Sequence, residues 1–190
     1  MIDWPALGAC VAAGGVAVFP ADTVYGLACD PSNPEAVARL YELKGRPPSK
    51  PAAVMFFDRN WPPVGPRTRA LMERLLPGGV TLLLTNPDRL YLLACGPDPS
   101  TLGLRVPFFA PVGRPVLQSS ANVSGGPDPR RLDDVPASIR DGADLVLDGG
   151  ELPGTPSTVV DLRDYETAGR WSIVRDGAVA SDVIRAAANG

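Results

Sequence analysis

The chain has 190 residues, 45% hydrophobic and 21% charged, with a net charge of −3 and no histidine. That balance fits one folded domain running over 1–190, and the absent histidine excludes Ser-His and Cys-His nucleophilic chemistry and imidazole-held metals. Cys10, Cys29 and Cys95 form no CxxC pair and no apolar run reaches the length of a membrane span, so the sequence reads as a cytoplasmic protein with small buried thiols.

In chain order, residues 5–13 predict a first helix ended by Gly14-Gly15, and 16–20 a short buried strand. Ser32-Asn33-Pro34-Glu35 has the capping-box pattern with proline in the first turn. The helix it starts carries Val37, Leu40 and Tyr41 on one face and runs into Lys44. Residues 51–57 predict another buried strand. Residues 67–76 predict a helix with Leu71, Met72 and Leu75 inward, stopped by Pro77-Gly78-Gly79. Further strands are predicted at 80–84, 102–106, 116–118, 145–147, 158–162 and 172–174, and helices at 133–140 and 182–188. Strands outnumber helices, and some connections are too short for helical crossovers. The fold class is therefore α/β: one domain around a twisted, mixed, largely antiparallel open sheet flanked by helices.

Sixteen of the eighteen basic residues are arginine, yet both lysines, Lys44 and Lys50, stand in Lys44-Gly-Arg46-Pro-Pro-Ser-Lys50-Pro. Lysine is a flexible point charge and arginine a rigid planar fork, so keeping lysine twice in one segment points to a need for a compact ammonium. Three cations within seven residues suit a polyanion, with phosphate the first candidate; a solvated basic loop is the plainer alternative. From Arg39 to Arg74 eight basic residues stand against three acidic ones, which allows an electropositive cleft on an acidic protein.

Four other stretches carry polar groups where strands begin or end. They are Phe19 to Leu27, with Thr23 and Tyr25; Ser119 to Gly126, with Ser120, Asn122 and Ser124; the hydroxyl-led strand at Ser157; and the arginines Arg105 and Arg175 set among strand apolars. Strand ends of open α/β sheets are where ligands bind, and serine-rich turns cradle anions. Each stretch alone reads equally as a polar turn, or as an arginine on a solvent face.

Their order along the chain decides more than any one of them. Pro20-x-Asp-Thr-x-Tyr-Gly-Leu27, Lys44-x-Arg-Pro-x-x-Lys-Pro51, Pro77-Gly-x-Val-Thr81, Leu102-x-Leu-Arg-x-Pro107, Ser119-Ser-Ala-Asn-x-Ser-Gly125, Ser157-Thr-Val-Val-Asp161 and Ile173-Val-Arg-x-Gly177 together resemble the threonylcarbamoyl-adenylate synthase family of YrdC type. The length is similar to its single-domain bacterial form. The resemblance implies a nucleotidyltransferase that makes threonylcarbamoyl-AMP and pyrophosphate from L-threonine, bicarbonate (as CO2) and ATP. It implies Mg2+ held mainly by the ATP phosphates, with no metal-ligating residues of its own. The product would pass to a tRNA threonylcarbamoyltransferase complex. By the same resemblance Lys44, Arg46 and Lys50 act on the triphosphate, and Thr101, Ser120, Asn122, Ser124 and Arg175 complete the nucleotide site. Thr23, Arg105 and Ser157 hold threonine, with a bidentate Arg105 fork on its carboxylate, and Tyr25 lines the pocket.

The chain departs from that pattern in three places. Ala21 replaces a common threonine, Met55 replaces a histidine that many relatives carry, and the spacer from Arg105 to Ser119 is short and has no room for the usual helix. The alternatives are a non-catalytic RNA-binding protein and a nucleotide-binding relative with a changed acceptor. Carbamoyl-adenylate chemistry of hydrogenase maturation ranks last, because the acylphosphatase and zinc-finger parts that accompany it are not in this sequence.

Overall fold

The computed structural model describes residues 2–58, 60–109 and 113–190. Helix α1 (Trp4–Ala12) starts where the Asp3 carboxylate accepts a hydrogen bond from the Ala6 N–H, and it buries Leu7 and Val11. Strands β1 (Ala17–Pro20) and β2 (Tyr25–Cys29) form an antiparallel pair, and helix α2 (Pro34–Leu43) buries Val37, Leu40 and Tyr41 as the periodicity predicts. The cap of α2 is Asn33 and not Ser32. Asn33 Oδ1 accepts from the Glu35 and Ala36 N–H groups at 3.0 Å each, because Pro34 takes the first helical position and makes its predecessor the cap.

The chain continues through β3 (Ala53–Met55), α3 (Pro66–Leu75), β4 (Val80–Thr85), α4 (Leu92–Cys95), β5 (Thr101–Arg105) and β6 (Val116–Ser120). Next come α5 (Ala137–Gly142), β7 (Leu145–Val146), β8 (Thr158–Asp161), α6 (Tyr165–Ala168), β9 (Ser172–Arg175) and α7 (Ser181–Asn189). The helix predicted at 133–140 is split into a 3-10 turn, Leu132–Asp134, and α5, since Pro136 cannot continue a helical ladder. The helix-free spacer predicted between Arg105 and Ser119 falls partly on residues 110–112, outside the described ones.

All nine strands of the described residues join one sheet in the order β7-β1-β2-β6-β3-β5-β4-β8-β9. Its pairs are mostly antiparallel, with β1–β7, β3–β5 and β4–β8 parallel, so the expected mixed sheet is present. Strand alternation sends Val54, Leu82, Leu84, Leu102, Leu104 and Val160 to one face, where they form the main core with the buried sides of α2 and α3. The opposite face is covered at one end only. There α1 packs Leu7 and Val11 on Ala17, Phe19, Ala28, Met55 and Val116. The rest of that face, over β3, β5, β4 and β8, carries Ala53, Gly103, Thr81, Leu83 and Val159 and floors a cleft.

Candidate active site

The cleft encloses about 470 Å³. Its floor is small and apolar because Ala53, Gly103 and Leu83 stand in register across β3, β5 and β4. Among the described residues four arginines reach it, Arg46, Arg105, Arg163 and Arg175, and two carboxylates, Asp98 and Asp128.

At one end lies Arg105, the last residue of β5. It is 3% exposed, and its Nη2 is 2.5 Å from Asp22 Oδ1, an ion pair with both side chains buried. Nη1 donates to Gln118 Oε1 at 3.2 Å, and Nη2 lies 3.4 Å from Thr23 Oγ1. Burial pushes the Asp22 carboxyl above its usual range against the pull of Arg105, and lowers Arg105 against the pull of Asp22. Among the described residues, Arg105 Nε and Asp22 Oδ2 are buried with no hydrogen-bond partner. Beside the pair, Ser157 Oγ is 2.7 Å from Thr81 Oγ1, and Arg175 Nη2 donates to the Ser157 carbonyl at 2.6 Å.

The basic segment does not act as one cluster. Lys44 turns inward and is 1% exposed; its ammonium donates to the carbonyls of Ser120 and Asn122 and to Asn122 Oδ1, the last at 2.9 Å. Burial, with Arg46 nearby, lowers its pKa to about 8. All three of its donors are therefore spent on the Ser119 to Ser124 turn. Arg46 enters the cleft, anchored by Nη2 on the Pro51 carbonyl at 2.6 Å. Lys50 is exposed beyond the cleft lining, its Nζ 3.4 Å from Ser124 Oγ.

The third wall is the turn after α4. Asp98 Oδ1 accepts from Ser100 N–H at 3.1 Å and Ser100 Oγ at 2.5 Å, and Asp98 Oδ2 from Thr101 Oγ1 at 2.6 Å. The Ser100 and Thr101 bonds hold this carboxyl below its usual range. Arg163, gripped by Asp161 through Nε at 3.0 Å and Nη2 at 2.5 Å, reaches Thr101 Oγ1 at 3.3 Å.

Of the residues singled out in the sequence, Thr23, Arg46, Thr101, Arg105, Ser120, Ser157 and Arg175 meet in this cleft. Asn122 and Ser124 lie behind it, Asn122 accepting from Lys44 and donating to the Gly126 carbonyl at 2.6 Å. Tyr25 does not line the pocket. It is fully buried, and its hydroxyl sits 2.9 Å from Asp148 Oδ1 and 2.8 Å from the Gly150 carbonyl, clamping the loop after β7.

Residues 9–177 match the Sua5/YciO/YrdC family model, which is described as "Telomere recombination". The chain belongs to this family. It is 31% identical over 186 residues to the threonylcarbamoyl-AMP synthase of Bacillus subtilis, covering 90% of this chain but 52% of that one. To the threonylcarbamoyl-AMP synthase of Chromohalobacter salexigens it is 33% identical over 171 residues, 83% of this chain and 91% of that one. The crystal structure of Sua5 from P. abyssi complexed with L-threonine superposes with a TM-score of 0.86 at 26% identity, covering 97% of this chain and 56% of that one. The chain thus spans about half the length of the Bacillus and P. abyssi proteins.

Within this Sua5/YciO/YrdC chain the two substitutions noted in the sequence are filled by core. Ala21 and Met55 are fully buried under α1. Sequence reasoning missed Asp22, Gln118, Asp98 and Arg163. Asp22 stood inside a quoted motif, and an aspartate beside a buried arginine's loop was its available signal. Nothing local marks Gln118 or Asp98, whose roles arise from cross-strand neighbours and a turn.

Proposed function

We propose that this chain is an L-threonylcarbamoyladenylate synthase, a nucleotidyltransferase joining L-threonine, bicarbonate or CO2, and ATP into threonylcarbamoyl-AMP and pyrophosphate. The observation that carries the reading is the cleft itself: one apolar floor, a buried arginine ringed by hydroxyls at one end, and a separate arginine with a serine turn at the side. The names of the similar proteins support the same chemistry.

In this reading the threonine carboxylate takes the Nη donors of Arg105 that Asp22 and Gln118 leave over, and the hydroxyls of Thr23 and Ser157 flank it. The triphosphate lies against Arg46, Ser120 and Arg175, with Lys50 at the mouth. Lys44, Asn122 and Ser124 serve by shaping the turn. No enzymic base is needed for the adenylyl transfer, because a carbamate is already an anionic nucleophile. The protein's task is to align carbamate and α-phosphate and to offset the charge growing at phosphorus with fixed guanidinium groups. Mg2+ supplies further charge neutralisation when bound. In this reading the ATP phosphates hold it.

The product is proposed to pass to a tRNA threonylcarbamoyltransferase complex in the cytoplasm. Among the described residues no helix is long and apolar enough to cross a membrane. A purely RNA-binding role has less support, because the basic run is dispersed. Arg39 pairs with Asp144, Arg67 lies over the Tyr165 ring and Arg74 donates to the Ala187 carbonyl.

Mass analysis of the nucleotide formed from ATP, Mg2+, bicarbonate and L-threonine tests the proposal. Threonylcarbamoyl-AMP is expected; a plain aminoacyl adenylate, or unchanged ATP, would contradict it.

A further inference from the structure

Strands β7 and β8 are consecutive in the chain, yet six other strands separate them in the sheet. Residues 147–157 make the crossing as a strap, and its far end delivers Pro156 and Ser157 to the cleft. A segment outside the strand ladder needs ties of its own to hold its backbone in place. The first is Leu147 N–H, which donates to the Val18 carbonyl at 2.9 Å.

The second tie is Tyr25. Its hydroxyl accepts from Gly149 N–H at 2.9 Å and shares its proton between Asp148 Oδ1 at 2.9 Å and the Gly150 carbonyl at 2.8 Å. One bond would satisfy a buried phenol, whereas bonds to three successive residues define a register. Gly149 allows the close approach, because a Cβ there would lie 2.5 Å from Pro20 Cγ. Further along, Leu152 N–H donates to the Arg130 carbonyl and Arg130 Nε to the Leu152 carbonyl, both at 2.9 Å. The last tie is Gly154 N–H, which donates to the Thr23 carbonyl at 2.9 Å.

Thr23 and Tyr25 thus grip the strap at two points, and Thr23 Oγ1 itself lies 3.4 Å from Arg105 Nη2. Only Thr155 and Pro156 separate the Gly154 tie from Ser157, and proline fixes its own φ, so a shift at Gly154 passes on to Ser157. The strap therefore sets the spacing of the two hydroxyls that flank the buried arginine.

We propose that Tyr25 is a positioning residue for the amino-acid end of the cleft. Its hydroxyl fixes the register of the strap, and through the strap it places the Ser157 hydroxyl relative to Thr23 and Arg105. This rests on the reading of that end as the threonine site.

Calorimetric titration of the full chain with L-threonine, on single and double variants, decides it. Tyr25→Phe keeps the ring and should weaken binding about tenfold, the worth of one well-placed hydrogen bond. Ser157→Ala should cost a similar factor. In the Ser157→Ala background the Tyr25→Phe change should cost less than about twofold, since the hydroxyl that the strap delivers is already gone. Asp148→Ala, at an exposed position, removes one partner of the phenol and should weaken binding about threefold; it carries the test if Tyr25→Phe does not fold. A merely structural tyrosine would lower the melting temperature and leave the Kd unchanged, which overturns the proposal. Losses that simply multiply in the double variant also overturn it, and both results leave the threonine reading intact. A wild-type chain that binds no L-threonine overturns the proposal and that reading together.

Discussion

A lysine whose three donors all end on one turn is a strut, and Lys44 has that geometry. Lys44→Met strips the ammonium from three buried acceptors and is expected to destabilise the fold by several kcal/mol. The sign of its pH dependence follows from its lowered pKa. Folded Lys44 releases its proton near pH 8, whereas an unfolded lysine keeps it to about 10.4. Between those values the unfolded chain binds more protons, so Lys44's contribution to stability rises with pH. Denaturant unfolding of wild type and Lys44→Met at pH 7.5 and 9.5 should show the gap between them widening, by on the order of 2 kcal/mol.

Arg105 and Arg46 separate the two ends of the cleft. Arg105→Ala should raise the KM for threonine about a hundredfold with the KM for ATP little changed. It should also cost about 3–5 kcal/mol of stability, because Asp22 is left buried without its partner. Arg46→Ala should have the converse kinetic effect, and Lys50→Ala a smaller one, since Lys50 stands outside the cleft lining. Steady-state kinetics with each substrate varied in turn measure all three.

Among the elements, those with a clear period were legible and those without one were not. The stripe Val37, Leu40, Tyr41 and the stripe Leu71, Met72, Leu75 gave α2 and α3, and short apolar runs gave most strands. Strand β2 was hidden because every residue from Tyr25 to Cys29 is buried, which erases the alternation that marks a half-exposed strand. Gly26 within it also looks like a turn residue. Its purpose is close approach, since a Cβ at Gly26 would lie 2.7 Å from Gln118 Nε2. Gly26→Ala should therefore push on the residue that holds Arg105. The expected loss is about 1–3 kcal/mol by denaturant unfolding, together with a raised KM for threonine. The α2 cap gives a cleaner contrast. Asn33→Ala should cost about 1 kcal/mol, while Ser32→Ala should stay within about 0.5 kcal/mol.

At the scale of the whole molecule, function follows from unequal covering of one sheet. One face is buried along its length, and the other is buried only where α1 reaches. The bare remainder collects residues from many separated stretches of chain, from Thr23 to Arg175, which is why no single motif defined the site. The motif order placed Thr23, Arg46, Arg105, Ser157 and Arg175 in one locality. It could not give depth: Lys44 and Tyr25 belong to the same motifs, yet they sit behind the wall as structural ties. Whether a motif residue meets substrate or props another is set by packing between strands distant in sequence.

The most direct test of the account is the dependence of pyrophosphate release from ATP and Mg2+ on L-threonine and on bicarbonate. Release that requires both, and falls when either is withheld, is the predicted result. Release indifferent to threonine, or ATP bound without turnover in the presence of both, would contradict it.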